Sequence, residues 1–319
     1  MFDAGGDAGV AFFFILSGFV LCAGYSGRIQ RQEFQFSPFI CRRIKKLYPL
    51  HIFCLIWFAY LCRFQIPLAP TVTNALMIQS WIPLREYYFS GNSVSWCLSD
   101  FMFYYLLFPV LLKSINRSYS HFIRYYLIIV TVYLLAVPFI PEPLQQPIIY
   151  INPAIRLLDF ISGILLWHVY ESLSNNGFIQ KITKLPIFAK TAIESAAVAL
   201  LIVAVIGYKD TPVFYATAIY WWLPSCIIIL TFSTLTGGGI SKLLQTKALV
   251  SFGDISFTFY LIHVLGIRTV EIILNKCSIE YTALQQLVIT LTAVILIALI
   301  LHPIFEKKLF CLLNLRKNR

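Results

Sequence analysis

Long apolar runs alternate with short polar loops along the chain, and the runs are too long and too evenly apolar for the strands of a barrel. Residues 8–27, 47–62, 125–141, 211–241 and 281–305 contain no Asp, Glu, Lys or Arg. Several of these runs reach the roughly 20 residues that carry an α-helix across about 30 Å of hydrocarbon. The pattern predicts nine spans, at 9–25, 47–62, 94–112, 125–139, 153–170, 192–206, 213–233, 248–267 and 284–305. The expected fold is therefore all-α, a multi-pass helical bundle in a membrane. A β-barrel requires segments of about ten residues in strict alternation, and none is present. The first run has neither a basic leader nor a small-residue cleavage site, and Ser17 and Gly18 lie inside it, so it reads as a retained helix.

Composition sharpens this picture. Of the 319 residues, 59% are hydrophobic and 12% charged, and the mean hydropathy is +0.78. A water-soluble domain carries about 25% charged residues, so a soluble fold is excluded. The net charge of +11 follows from topology. With the N-terminus outside, Arg28, Arg31, Arg42, Arg43, Lys45 and Lys46 fall in the first inner segment. Lys113, Arg117, Arg124, Lys181, Lys184, Lys190, Lys242 and Lys247 fall in later inner loops, and Lys307, Lys308, Arg316, Lys317 and Arg319 in an inner tail. Only Arg63, Arg85, Lys209, Arg268 and Lys276 are left outside, as the excess of cations in cytoplasmic loops requires. Anionic membrane lipid accounts for the basic balance, and no nucleic acid is implied.

The eight cysteines form no Cys-x-x-Cys pair and lie mostly in spans, so they are read as packing thiols. Gly237-Gly238-Gly239 lacks the Lys and Ser/Thr of a phosphate loop and is read as a turn. No repeat or low-complexity linker divides the chain, which points to a single membrane-embedded domain over 1–319.

Ionisable groups inside spans are costly, and each is a functional candidate. Trp96, Asp100 and Tyr104 follow i, i+4, i+8 and share a helical face. Asp100 there can orient a substrate hydroxyl or pair with an arginine; the alternative is a cap or a bond to a neighbouring helix. Arg156 and Asp159 are spaced i, i+3 for a local ion pair behind an Asn152 cap and a first-turn Pro153, an arrangement that is also often structural. Ser256, Tyr260 and His263 line another face, with no second ligand at metal spacing, so no metal is expected and a helix-packing histidine is the competing reading. Arg42, Arg43, Lys45 and Lys46 form a cationic cluster suited to lipid headgroups or to the phosphates of an anionic cofactor such as coenzyme A.

Taken in order, these segments resemble acyltransferase family 3, integral membrane proteins whose better-known members O-acetylate bacterial surface polysaccharides. The resemblance rests on Gly9-Val10-Ala11-Phe12-Phe13-Phe14-Ile15-Leu16-Ser17-Gly18-Phe19, on Arg43-Ile44-Lys45-Lys46-Leu47-Tyr48-Pro49, and on Ser95-Trp96-Cys97-Leu98-Ser99-Asp100. It continues through Asn152 to Asp159-Phe160, Ser256-Phe257-Thr258-Phe259-Tyr260-Leu261-Ile262-His263 and Phe305-Glu306-Lys307, and so extends over essentially the whole chain. Lys46 replaces an Arg, losing its bidentate fork, and Asp100 and Asp159 replace Glu. The family pattern also implies a further helix ahead of Gly9 that carries an Arg and a catalytic His. None of His51, His121, His168, His263 and His302 occupies that place, so the chain is expected to be N-terminally incomplete and weakly active or inactive as written.

The resemblance implies that acyl-CoA, acetyl-CoA in the better-known members, binds from the cytoplasm at Arg42, Arg43, Lys45 and Lys46. Its acyl group passes to a hydroxyl of a carbohydrate or glycolipid acceptor on the outer side of the bacterial inner membrane. Trp96, Asp100, Arg156, Asp159 and His263 are the implied catalytic set. The alternative from another class is a transporter or flippase for lipid-linked or anionic substrates, which discontinuous helices with inverted repeats would favour.

Overall fold

In the computed structural model, residues 4–277 and 281–309 are described. Cys311 and the tail cations Arg316, Lys317 and Arg319 lie outside the described residues. The element order is α1 (Ala4–Gln30), α2 (Phe36–Leu61), α3 (Leu68–Ala75), α4 (Arg85–Tyr88), α5 (Trp96–Arg117), α6 (Tyr119–Ala136), α7 (Glu142–Gln145) and α8 (Pro153–Asn175). There follow α9 (Phe178–Thr183), α10 (Ile187–Gly207), α11 (Val213–Ala216), α12 (Trp222–Thr234), α13 (Gly239–Leu244), α14 (Lys247–Lys276) and α15 (Ala283–His302). No strand occurs among the described residues. The protein is an all-α, multi-pass membrane protein.

Each of the nine apolar runs coincides with helix, but the runs are not equivalent. Among the described residues, seven helices are long and apolar enough to cross a bilayer. A further pair, Glu142–Ile151 and Pro153–Asn175, is apolar enough only when taken together and is bent by 43°, the shape of a broken span or a re-entrant loop. The bend falls where two local preferences meet. Asn152 is extended and its Oδ1 accepts from the backbone N–H of Ala154 (2.9 Å), while Pro153 occupies the first helical position, where no N–H is needed.

The run at 213–233 corrects the expectation of one continuous span. It is divided into α11, a 3₁₀ turn at Ile219–Trp221 and α12, with Ala218 at φ −139°, ψ −77°. Pro224 sits in the first turn of α12, where a missing N–H is tolerated, and it cannot continue a helix from upstream. Non-helical backbone at membrane depth survives only where protein or water satisfies it. Here the carbonyl oxygen of Thr217 accepts from Arg156 Nη1 at 3.0 Å.

The chain forms two compact units, each assembled from two segments: 1–35 with 100–249, and 36–99 with 250–319. In the first unit, α1 and α8 make the most extensive helix pairing. Two glycines permit it. A Cβ on Gly18 would collide with the carbonyl oxygen of Phe160, and one on Gly163 with the carbonyl oxygen of Ile15. Close approach of small residues is how helices gain contact in lipid, where no hydrophobic drive separates helix from solvent. Ile15, Phe19, Leu166 and Ile229 fill the core beside this crossing. By contrast, α6 and α10 bury only 11% of their apolar windows, the pattern of helices that face lipid on most sides.

The Gly237–Gly239 stretch is the expected turn, with Gly237 at φ +86°. Its glycines serve a buried carboxylate. Glu194 of α10 is fully buried, and its Oε2 accepts from the backbone N–H of Ile240 (2.9 Å) and Ser241 (3.2 Å) at the start of α13, while the Ser241 hydroxyl donates to Oε1. A Cβ on Gly238 would strike that carboxylate. Replacing Glu194 with Leu is therefore expected to cost about 3 kcal/mol, since it removes the acceptor of the Ile240 and Ser241 N–H groups and leaves the Ser241 hydroxyl only the Leu235 carbonyl at 3.3 Å; the thermal midpoint in detergent measures it. Gly238→Ala should act in the same direction.

In the second unit, α15 opens on a capping box. Thr282 Oγ1 accepts from Gln285 N, and Gln285 Oε1 accepts from Thr282 N at 2.9 Å. At the other end, α2 begins at Phe36, eleven residues before its apolar run, so the basic cluster lies on helix and not in a loop. The seven described cysteines are all free thiols.

Candidate functional site

The candidate residues divide between the two units, and only in the first do they form a buried polar cluster. That cluster gathers three helices around Phe14 of α1. The Phe14 ring meets Tyr104 of α5 edge-on (5.2 Å, 88°) and the guanidinium of Arg156 of α8 lies over it at 5.3 Å. Tyr104 donates its hydroxyl to Asp100 Oδ2 (3.4 Å), one turn earlier on the same face, as the i, i+4 spacing requires. Tyr104 also stacks on Phe160 (5.2 Å, 23°). Three of the sequence segments thus converge: the Phe-rich run of α1, Asp100 of α5 and the Arg156-to-Phe160 segment of α8.

Arg156 and Asp159 form the expected ion pair, Nη2 to Oδ2 at 2.8 Å, with both side chains essentially inaccessible. A buried pair is tolerable only when its remaining hydrogen-bonding capacity is used. Asp159 Oδ1 accepts from the indole N–H of Trp222, and Arg156 Nη1 is engaged by the Thr217 carbonyl. Around the same break, several donors have no hydrogen-bond partner among the described residues: Arg156 Nε, the Trp221 indole N–H and the hydroxyls of Tyr133 and Thr217. This cluster is rich in donors, the polarity that stabilises negative charge developing on oxygen.

The second unit holds Trp96, His263 and the basic cluster. Trp96 is buried at the start of α5. His263 Nδ1 donates to the carbonyl oxygen of Tyr260 (2.6 Å), which leaves Nε2 as the nitrogen with a lone pair. Its ring is half-buried and lies parallel to Phe259 (6.4 Å, 9°), while the Tyr260 hydroxyl donates to the Val94 carbonyl (3.2 Å). In the first turns of α2, Arg42 and Lys46 are exposed at i, i+4, whereas Arg43 and Lys45 are half-buried and the Arg43 guanidinium lies over Phe39 at 5.4 Å. Asp100, Arg156 and Asp159 therefore share one unit, and Trp96, His263 and Arg42 to Lys46 the other.

The second unit also contains a polar cluster that the sequence did not single out. His51 of α2 is fully buried, and its Nε2 donates to the carbonyl oxygen of Asn74 (2.9 Å). Asn74 Nδ2 donates to the Ser90 carbonyl (2.7 Å) and to Ser95 Oγ (3.0 Å). Gln79 Nε2 donates to the Ser95 carbonyl (3.0 Å), and Asn92 Nδ2 to the Leu261 carbonyl (2.6 Å). Ser80 and Ser99 share a hydroxyl bond of 2.6 Å beside them. Because carbonyl oxygens only accept, each amide nitrogen and His51 Nε2 is assigned by its partner, and the opposite atoms must be acceptors. Those atoms, His51 Nδ1, Asn74 Oδ1, Gln79 Oε1 and Asn92 Oδ1, are buried without a hydrogen-bond partner among the described residues. Each buried acceptor left in that state costs about 1–3 kcal/mol. The hints in the sequence were His51 inside the 47–62 span and the density of Asn, Gln and Ser between two spans, which a solvated loop also shows.

Comparison with known proteins agrees with this architecture. The family model described as "Acyltransferase domain", Acyl_transf_3, matches residues 2–302. The chain belongs to acyltransferase family 3. Among curated relatives it is 26% identical over 285 residues to "Acyltransferase MdmB" of Streptomyces mycarofaciens, covering 82% of this chain and 68% of the relative. It is 28% identical over 191 residues to an "Uncharacterized protein" of Haemophilus influenzae, covering 53% of this chain and 77% of the relative. No solved structure matches the chain. The family match spans both units and hence both polar clusters, so the chain is a membrane acyltransferase in which α1, α5 and α8 assemble the Arg156 cluster.

Proposed function

We propose that this acyltransferase moves an acetyl group from acetyl-CoA, bound from the cytoplasm, to a hydroxyl of a surface or exported carbohydrate, and that it resides in a bacterial inner membrane. The observation that carries the reading is the Arg156–Asp159–Trp222 cluster with its unengaged donors at the break in the 213–233 run. Acyl transfer builds negative charge on the carbonyl oxygen as the hydroxyl oxygen attacks, and preorganised donors in a water-poor site stabilise that charge strongly. Arg156 is the cation of this cluster, Asp159 holds it in place, and Asp100 with Tyr104 orients polar groups beside it. Trp96 is buried at the start of α5. Within the second unit, the bond from His263 Nδ1 to the Tyr260 carbonyl leaves Nε2 with a lone pair, the chemistry of a proton acceptor.

Arg42, Arg43, Lys45 and Lys46 are assigned to the phosphates of the donor, with anionic lipid headgroups as competitors for the same charges. The double variant Arg43→Gln/Lys46→Gln is expected to raise the apparent KM for acetyl-CoA by about tenfold or more while leaving kcat within about twofold, because it removes binding that the ground and transition states share. Saturation curves in native membranes at two salt concentrations check this; the wild-type KM should also rise with salt.

The discontinuous helices also suit a transporter, since carriers place broken spans at their binding sites. Labelled acetyl-CoA separates the readings. Radiolabel appearing in a hydroxyl ester, released by mild base, supports acyl transfer. Substrate-dependent uptake into vesicles without such label supports a carrier and sinks the acyl-transfer proposal.

A further inference from the structure

We propose that the buried His51, Asn74, Gln79 and Asn92 cluster is a binding site for O–H donors, filled by the hydroxyl of the acyl acceptor or by bound water. The inference rests in part on the acyl-transfer reading, because that reaction needs a hydroxyl held still in a membrane interior.

The chemistry of the occupant follows from what is left open. Four acceptors, His51 Nδ1, Asn74 Oδ1, Gln79 Oε1 and Asn92 Oδ1, belong to neighbouring residues of one hydrogen-bonded group, and each side-chain nitrogen assigned as a donor in the same four residues already donates, to a carbonyl oxygen and, from Asn74 and Gln79, to the Ser95 hydroxyl as well. The Ser95 hydroxyl, which accepts from both Asn74 and Gln79, carries one proton against four open acceptors. An anion is disfavoured, since the open atoms are all lone pairs. A bare cation is disfavoured too, since none of these four groups is a carboxylate and a buried charge needs compensation. Neutral O–H donors suit such a set, one proton to each acceptor, so more than one hydroxyl or water is needed to fill it.

The frame is rigid. Asn74 ties α3 to the Ser90 carbonyl and to Ser95, the Ser90 hydroxyl donates to the Pro70 carbonyl (3.1 Å), and Asn92 reaches Leu261 of α14. Gly91, at φ +60°, lets the loop close on Asn74; a Cβ there would press on Leu55 and the Asn74 amide. Held in this way, the acceptors can orient a hydroxyl without moving, which is the condition for useful positioning.

The test is the ¹⁵N spectrum of histidine-labelled full-length protein in detergent, with and without methyl α-glucoside as a hydroxyl probe. The five histidines are assigned by substitution. His51→Gln removes the signal of interest while keeping an N–H for the Asn74 carbonyl. If that variant does not fold, the His121→Gln, His168→Gln, His263→Gln and His302→Gln variants assign His51 by elimination. An unprotonated nitrogen that accepts a hydrogen bond resonates upfield of one that does not. An upfield His51 Nδ1 signal in the absence of probe, unchanged by it, supports the site with water as its occupant. An upfield shift on adding the glucoside supports the acceptor hydroxyl, and His51→Gln should then raise the acceptor KM about tenfold. A signal at the free-lone-pair position under both conditions overturns the proposal. Because the readout is a chemical shift, it stands whether or not radiolabelled acetyl is transferred, so its failure and that of the acyl-transfer reading are distinguishable.

Discussion

Arg156→Met is expected to lose most folded protein and all acyl transfer, at a cost of about 3–5 kcal/mol, the range for removing one partner of a buried ion pair. The substitution strips Asp159 of its counter-charge 2.8 Å away and leaves the Thr217 carbonyl without its donor at a point where the helix is already broken. Two defects arise from one change, and both lie in a region that water cannot reach to repair. Arg156→Lys should rescue little, because a point charge cannot serve the carboxylate and the carbonyl together as the planar fork does. The informative partner is Arg156→Met/Asp159→Leu, which removes both charges. Its thermal midpoint in detergent should exceed that of Arg156→Met, since the unpaired carboxylate is gone, while transfer stays absent. Wild-type transfer by the double variant would show that the pair is structural only.

The second large effect belongs to the crossing of α1 and α8. Gly18→Ala and Gly163→Ala are each expected to destabilise by about 3 kcal/mol or more, the upper end for overpacking. The added methyl meets a backbone carbonyl oxygen in each case, and no rotamer change relieves such a contact. The helices must separate, which disturbs Ile15, Phe19 and Leu166 and shifts Arg156 relative to Phe14. Transfer should therefore fall together with stability. Gly24→Ala is the internal control: it lies on the same helix with nothing within 4 Å of the added methyl, and should be neutral or slightly stabilising. Fluorescence-detected gel filtration after a temperature series compares the three; equal midpoints would refute the close-crossing argument.

The residues of the Arg156 cluster were legible for different reasons. The i, i+3 spacing of Arg156 and Asp159, the Asn152 cap and the first-turn Pro153 are local features, and the structure realises each of them. The Asp100–Tyr104 bond also follows from helical spacing. The break at Thr217–Ala218 was not read, because an uncharged run of Thr, Ala, Ile and Trp looks continuous to any hydropathy window; only Pro224 hinted at it. The His51 cluster was hidden for the opposite reason. Its Asn and Gln sit in what reads as an ordinary polar loop, and burial, which makes them chemically significant, is a property of the surrounding helices.

The sequence by itself determined the class of protein, the positions of its apolar segments and the family signature, because length, hydropathy and local spacing act within one segment at a time. It also specified which charges enter the membrane. Only the tertiary structure decided that Arg156 bonds a carbonyl of a broken run as well as its ion-pair partner, that Gly18 and Gly163 set a close crossing, and that four neutral acceptors around His51 are buried without hydrogen-bond partners among the described residues. These are decisions about partners distant in sequence. A lone pair, an N–H or a missing methyl has no consequence until another helix arrives against it, and nothing in a single segment records which helix that will be.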